Sequence, residues 1–116
     1  MIHKYKYIAK VIKVVDGDTV DMEVDLGFGV KRLDRFRILE LDTFETRMVR
    51  GTTLEDRNKG LEAKRFARKL LLDQYVVIET HKDKKGKYGR YLCSILLPTG
   101  LDYATLMKEE GYEKSN

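Results

Sequence analysis

The 116-residue sequence has no tryptophan, one proline, one cysteine and two histidines. A single cysteine excludes an internal disulfide and agrees with a reducing compartment. Cys93 lies in the apolar run "YLCSILL", so a buried inert thiol is expected there. His3 and His81 are far apart in sequence, and no CxxC or HxH pair occurs, which leaves no zinc pattern. No apolar run approaches the ~20 residues of a membrane span, so no membrane partner is expected. The opening "MIHKYKYIAK" lacks the apolar stretch of a secretion signal, and the expected location is cytoplasmic. There is no repeat and no low-complexity linker. Residues 1–116 are expected to form one domain, a length that buries a sufficient core without disulfides or metal.

Charge is plentiful. Charged residues make up 36% and hydrophobic ones 42%, the balance of a soluble globular chain. The net charge of +4 is mild and only tilts toward acidic partners. Its distribution is more telling, because "HKDKKGKYGR" places Lys82, Lys84, Lys85, Lys87 and Arg90 against Asp83 alone.

The pattern of apolar residues predicts the elements. Val and Ile from Ile8 to Val15 predict a strand. From Val20 to Leu26, Val20, Met22, Val24 and Leu26 share one face, opposite Asp21, Glu23 and Asp25. "GFG" at 27–29 marks a turn. Arg35 to Leu41 reads as a third strand, with Phe36 and Ile38 on one face and Arg37, Leu39 and Leu41 on the other. Arg47 to Lys59 is polar and aperiodic, and reads as a loop. Ala63, Phe66, Ala67, Leu70 and Leu71 then follow helical spacing. Tyr75–Thr80 and Arg90–Leu97 are two further strands joined by the basic loop. A short helix from about Asp102 to Glu110 turns Tyr103, Leu106 and Met107 to one side, with Gly111 as its C-terminal cap. Tyr5 and Tyr7, alternating with Lys4 and Lys6, suit a frayed edge strand better than a nucleic-acid surface. The first three strands are separated only by turns, which demands antiparallel pairing. Three strands, a helix, two strands and a helix is the order of a five-stranded OB-fold barrel, an α+β fold that is mainly β.

Two acid clusters fall near strand ends. "VVDGDTV" carries Asp16 and Asp18, and "ELDTFET" carries Asp42, Thr43 and Glu45. One rim of a small barrel can hold both. Crowded carboxylates need a cation or a proton between them, and oxygen-only ligands suit Ca²⁺ or Mg²⁺. Arg37 runs toward the same rim, where the acids or a bidentate phosphate can pair with it. Arg90 opens the last strand beside the basic loop. Acids for a hard cation with two arginines close by are the parts of a phosphoryl-transfer site.

"VVDGDTV", "FRILELDTFET" and "DKKGKYGRYL" together, in this order and spacing, resemble the signature stretches of the staphylococcal nuclease (thermonuclease) family, over about Ile8 to Gly111. The resemblance implies an OB-fold barrel with packed helices and Ca²⁺-dependent hydrolysis of DNA and RNA, with little sequence preference and with products ending in 3′-phosphates. It implies Asp18, Asp42 and the carbonyl of Thr43 as metal ligands, with Asp16 in support behind them. Glu45 would orient or deprotonate the attacking water. Arg37 and Arg90 would bind the scissile phosphate, and Lys87 and Tyr88 a neighbouring one. The substrate is expected to be DNA and/or RNA, preferably single-stranded. Two departures stand out. Phe44 occupies a place where the family pattern usually has proline, and nothing after Gly111 matches the family's stacking tyrosines or third helix.

Each feature also has a plainer reading. Asp16 and Asp18 can be turn formers, Arg37 a structural ion pair with Asp42 or Glu45, and Lys82, Lys84 and Lys85 a solvated hairpin tip. The competing functions are a single-strand-binding OB module without catalysis, and a metal that merely tethers the rim. Neither explains Glu45 together with Arg37 and Arg90.

Overall fold

The computed structural model describes residues 5–47, 51–85 and 89–114, with the backbone alone for 82–85. Seven elements follow one another: β1 (Lys6–Asp16), β2 (Thr19–Asp25), β3 (Lys31–Ile38), α1 (Leu54–Leu71), β4 (Tyr75–Lys85), β5 (Tyr91–Leu96) and α2 (Tyr103–Glu109). The strands close into a barrel in the order β1-β2-β3-β5-β4. The β3–β5 pair is parallel and the others are antiparallel. This is the expected five-stranded OB-fold barrel with two helices.

Closure corrects one expectation. A closed barrel has no edges, so β1 is not a frayed edge strand. Tyr7 pairs with Ile78, and the Tyr5 carbonyl accepts the Thr80 N–H at 2.9 Å.

Alternation builds the core. Val20, Met22 and Val24 face inward from β2, Phe36 and Ile38 from β3, and Cys93 and Ile95 from β5. In β1 the register shifts between Val11 and Lys13. That bulge lets Val11 and Val14, three positions apart, both point inside. α1 lays Ala63, Ala67 and Leu71 on this core. Among the described residues no helix is long and apolar enough to cross a membrane.

Element boundaries differ from the sequence expectation in physically traceable ways. α1 starts at Leu54, inside the stretch read as loop. Its cap is Thr53, whose Oγ1 accepts the Asp56 N–H at 3.1 Å, with Glu55 and Asp56 in the first turn. Those first two turns lie over the surface and carry little apolar signal. β3 begins at Lys31 and stops at Ile38. Glu40 then takes a left-handed φ of 60°, and the turn brings Leu41 into the core beside Ile38. Leu41 therefore does not share the outer face with Arg37. β4 continues through the first half of the basic segment to Lys85. Leu26 is half-exposed at the end of the β2 face expected to be buried.

Candidate functional site

β1 ends at Asp16 and β2 starts at Thr19, and these two residues pair, so the turn consists of Gly17 and Asp18. The turn is tightly enclosed. Tyr103 of α2 donates its hydroxyl to the Gly17 carbonyl at 2.6 Å, inside the protein. A Cβ at Gly17 would meet Thr43 Cγ2 at 2.9 Å and Ala63 Cβ at 3.2 Å. Only glycine admits this packing of turn, loop and helix.

Asp18 does more than form the turn. Its side chain is 10% exposed, and a buried carboxylate requires partners. Oδ2 accepts the Thr43 N–H at 2.9 Å and lies 3.1 Å from Arg37 Nη1. Oδ1 accepts the Thr19 hydroxyl at 2.9 Å. Arg37 sits opposite Thr19 in the β2–β3 register, which places its guanidinium beside Asp18. Its Nη2 reaches Asp42 Oδ1 at 3.3 Å, and Nη1 also donates to the Leu41 carbonyl. One guanidinium therefore draws Asp18 and Asp42 together. The plainer reading of Arg37 as an ion pair holds, with Asp18 and Asp42 and not with Glu45.

Asp16 acts on the same loop. Its Oδ1 accepts the Thr46 hydroxyl at 2.7 Å and the Thr46 N–H at 3.3 Å. Asp16 and Asp18, on either side of Gly17, thus hold the two ends of residues 43–46. Arg90 enters through Thr19, whose Oγ1 lies 3.4 Å from Arg90 Nη1. Thr19 touches both Asp18 and Arg90. Glu45 projects from the loop into solvent and has no hydrogen-bond or ion-pair partner among the described residues. Lys87 and Tyr88 lie outside the described residues.

The donor set can be tested against a hard cation. Asp18 and Asp42 already converge on one positive charge, and the buried Thr43 hydroxyl has no hydrogen-bond partner among the described residues. Every donor is oxygen, the chemistry of Ca²⁺ or Mg²⁺. Among the described residues no three His, Cys, Asp or Glu side chains form a group that could hold a metal. The protein would supply part of a coordination shell, and water and substrate the remainder.

Several residues that build the site escape sequence reading. Gly60 in α1 faces the loop, where a Cβ would fall 2.5 Å from the Glu45 carbonyl oxygen and 2.6 Å from that of Phe44. Phe44 is flanked by the ammonium groups of Lys59 and Lys114, 5.4 and 5.6 Å from its ring centroid. The Lys114 N–H returns to the Asp42 carbonyl at 2.6 Å. Thr19 and Thr46 stand inside the D-G-D-T and D-T-x-E-T strings and could have been marked there. Gly60, Tyr103 and Lys114 carry no local signal, because their partners are remote in sequence.

Known proteins are similar to this chain over most of its length. The family described as "Staphylococcal nuclease homologue" matches residues 35–115. An uncharacterized protein of Methanocaldococcus jannaschii is 38% identical over 106 residues, covering 78% of this chain and 49% of the relative. The thermonuclease of Staphylococcus hyicus is 33% identical over 100 residues, covering 86% of this chain and 54% of the relative. That of Staphylococcus intermedius is 32% identical over 103 residues, with 89% and 55% covered. The chain spans about half the length of the curated relatives it matches. With a barrel of the expected topology, the acids and arginines gathered at one rim and a family match over most of the sequence, the chain belongs to the staphylococcal nuclease homologue family.

Proposed function

We propose that this domain is a Ca²⁺-dependent nuclease that hydrolyses phosphodiester bonds of DNA and/or RNA, preferably single-stranded, and leaves 3′-phosphate ends. The observation that carries the reading is the convergence of Asp18 and Asp42 on Arg37, with Arg90 joined to them through Thr19. Asp18, Asp42 and the Thr43 carbonyl would hold the cation. When bound, it would neutralise charge on the phosphate and lower the pKa of water.

The chain's own residues account for the remaining chemistry. A phosphodiester anion repels an incoming hydroxide, and Arg37 and Arg90 offset that charge. The two guanidiniums bind the non-bridging oxygens and stabilise the charge that builds on them as water attacks phosphorus. Binding of phosphate exchanges Arg37's contacts with the acids for contacts with substrate. Glu45, solvent-facing and without a partner among the described residues, would orient the water and take its proton. The P–O5′ bond breaks, the 5′ oxygen gains a proton, and phosphate stays on the 3′ side. Asp16 acts at one remove, holding Thr46 and with it the loop that carries Glu45. Lys87 and Tyr88 would contact a neighbouring phosphate.

The test is cleavage of denatured DNA and of RNA with Ca²⁺ titrated, a chelator control, and Glu45→Ala and Arg90→Ala in parallel. Products that require Ca²⁺ and fall roughly a hundredfold or more in each variant establish the reading. Salt-sensitive binding without cleavage makes the domain a strand-binding OB module instead.

A further inference from the structure

Inward-facing positions of a small barrel are filled by side chains that close its interior. Here the inner row changes character toward one mouth. Along β3, read backward from Ile38 and Phe36, the next inward positions are Asp34 and Arg32. Across the barrel, Ile78 of β4 is followed inward by Thr80. A cavity of about 320 Å³ opens there beside the β2–β3 hairpin. Val24, Phe36 and Ile78 form its apolar floor, and Tyr7, Arg32, Asp34, Thr80 and Tyr91 its polar rim.

The rim is organised. The rings of Phe36 and Tyr91 lie 5.9 Å apart. Arg32 Nη2 donates to the Tyr91 hydroxyl at 3.0 Å, its guanidinium carbon lies 5.4 Å from that ring's centroid, and its Nε pairs with Asp34. The guanidinium is charged at any ordinary pH, and hydrogen bonding to Asp34 raises its pKa further. An apolar floor disfavours a bare metal ion, and a rim of donors and acceptors disfavours an alkyl chain. A flat aromatic ring with a polar edge satisfies both.

The pocket lies farther along the same two strands than the acid rim, since Arg32 pairs with Val24 whereas Arg37 pairs with Thr19. Arg37 follows Phe36 and Arg90 precedes Tyr91 directly in the chain. The β3–β5 pairing sets Phe36 beside Tyr91. Arg37 and Phe36 occupy opposite faces of β3, so the pocket lies inside the barrel wall that carries Arg37 on its outer side. The hairpin wall ends in Gly27, Phe28 and Gly29, all with left-handed backbone, and this presents Phe28 fully to solvent next to the mouth. An exposed aromatic held in a strained conformation offers a second stacking surface.

We propose that this barrel mouth is a nucleobase pocket, which receives one unstacked base of a single-stranded nucleic acid. It rests on the nuclease reading for its substrate class. A base inside a duplex cannot enter, so the pocket would also supply the preference for single strands.

The test is binding by the full chain, in chelator to prevent cleavage, of a short single strand carrying one 2-aminopurine, compared with strands that are abasic throughout. Wild type is expected to quench the 2-aminopurine and to bind the base-bearing strand about tenfold or more tightly than the abasic one. Arg32→Gln, at an exposed position that leaves the core intact, and Tyr91→Leu should each shrink that ratio toward one. A ratio of one in wild type, or a ratio unchanged in Arg32→Gln, overturns the pocket. Cleavage is scored separately with Ca²⁺. Base-dependent binding without cleavage keeps the pocket and removes the nuclease reading, and cleavage without base dependence does the reverse.

Discussion

Gly60→Ala tests how the Glu45 loop is held. A Cβ at this buried helical position would lie 2.5 Å from the Glu45 carbonyl oxygen, 2.6 Å from that of Phe44 and 2.9 Å from the Glu45 carbonyl carbon. An ordinary contact starts near 3.4 Å, so helix and loop must separate by close to 1 Å. α1 is anchored by Ala63, Ala67 and Leu71 in the core. The loop is held by hydrogen bonds, the Asp42–Arg37 pair and the Thr43 and Phe44 contacts, with less of it in the core than α1, so the loop gives way. Alanine gains up to about 1 kcal/mol over glycine in a helix, and crowding costs about 1–3 kcal/mol. The net loss of stability should be at most about 3 kcal/mol. A displacement of ~1 Å at a reacting group can cost about a hundredfold in rate. We expect kcat for single-stranded DNA to drop by about that factor, with KM and the chelator-resistant binding little changed. Urea unfolding followed by circular dichroism measures the stability arm. In a double-mutant cycle, Gly60→Ala placed on Glu45→Ala should add little further loss. A Gly60→Ala enzyme with a wild-type rate refutes the argument, and so does a full additional loss in the double variant.

Two other perturbations bear on the interior. Tyr103→Phe removes the hydroxyl that satisfies the buried Gly17 carbonyl and should destabilise by about 1–3 kcal/mol; a urea midpoint equal to wild type contradicts that. Burial pushes the Cys93 thiol from the ordinary value of 9.0 to about 12. The fold therefore favours the neutral thiol. Its contribution is complete below pH 9 and is lost as pH rises toward 12, with a slope of up to about 1.4 kcal/mol per pH unit. The Tyr103 phenol, also raised by burial and then by Asp18, adds its own loss above its ordinary range. Cys93→Ala should flatten the first part of this alkaline decline, and a thiol reagent should modify Cys93 only on unfolding.

The barrel was legible because period-two alternation survives wherever one face of a strand is buried. Val20, Met22 and Val24 announced β2, and Phe36 and Ile38 the core of β3. The start of α1 was not legible, since Leu54 to Lys59 meets solvent and its decisive feature is the Thr53 cap. The turn at Glu40 hid Leu41's entry into the core, because a left-handed residue breaks alternation without a glycine to announce it. At the site, Asp18, Arg37 and Asp42 could be singled out from motif strings, and the fold brings them into contact. Their supports could not be. Tyr103 and Gly17 are 86 positions apart, and only closure of the barrel and docking of α2 make them neighbours. Nothing local marks Arg32 and Asp34, whose place at the barrel mouth follows from the β2–β3 register.

The loop from Asp42 to Thr46 explains why two acids flank Gly17 where β1 turns into β2. Proline in place of Phe44 would fix one backbone angle directly. Without it the loop must be held from outside. Asp18 fixes Thr43 through its backbone N–H, and Asp16 fixes Thr46 through both hydroxyl and N–H. The returning C-terminal chain accounts for the Asp42 carbonyl, and Gly60 permits α1 to press on the carbonyls of Phe44 and Glu45. Phe44 adds its ring between two lysines. Five contacts from β1, the turn, α1 and the C-terminal segment thus define a stretch of five residues. Since the same Asp18 also meets Arg37, movement of that guanidinium toward a phosphate is felt at Thr43 through a single carboxylate. The acids therefore serve two tasks that cannot be separated by removing one of them: they set the charge of the site, and they set the shape of the loop that presents Glu45.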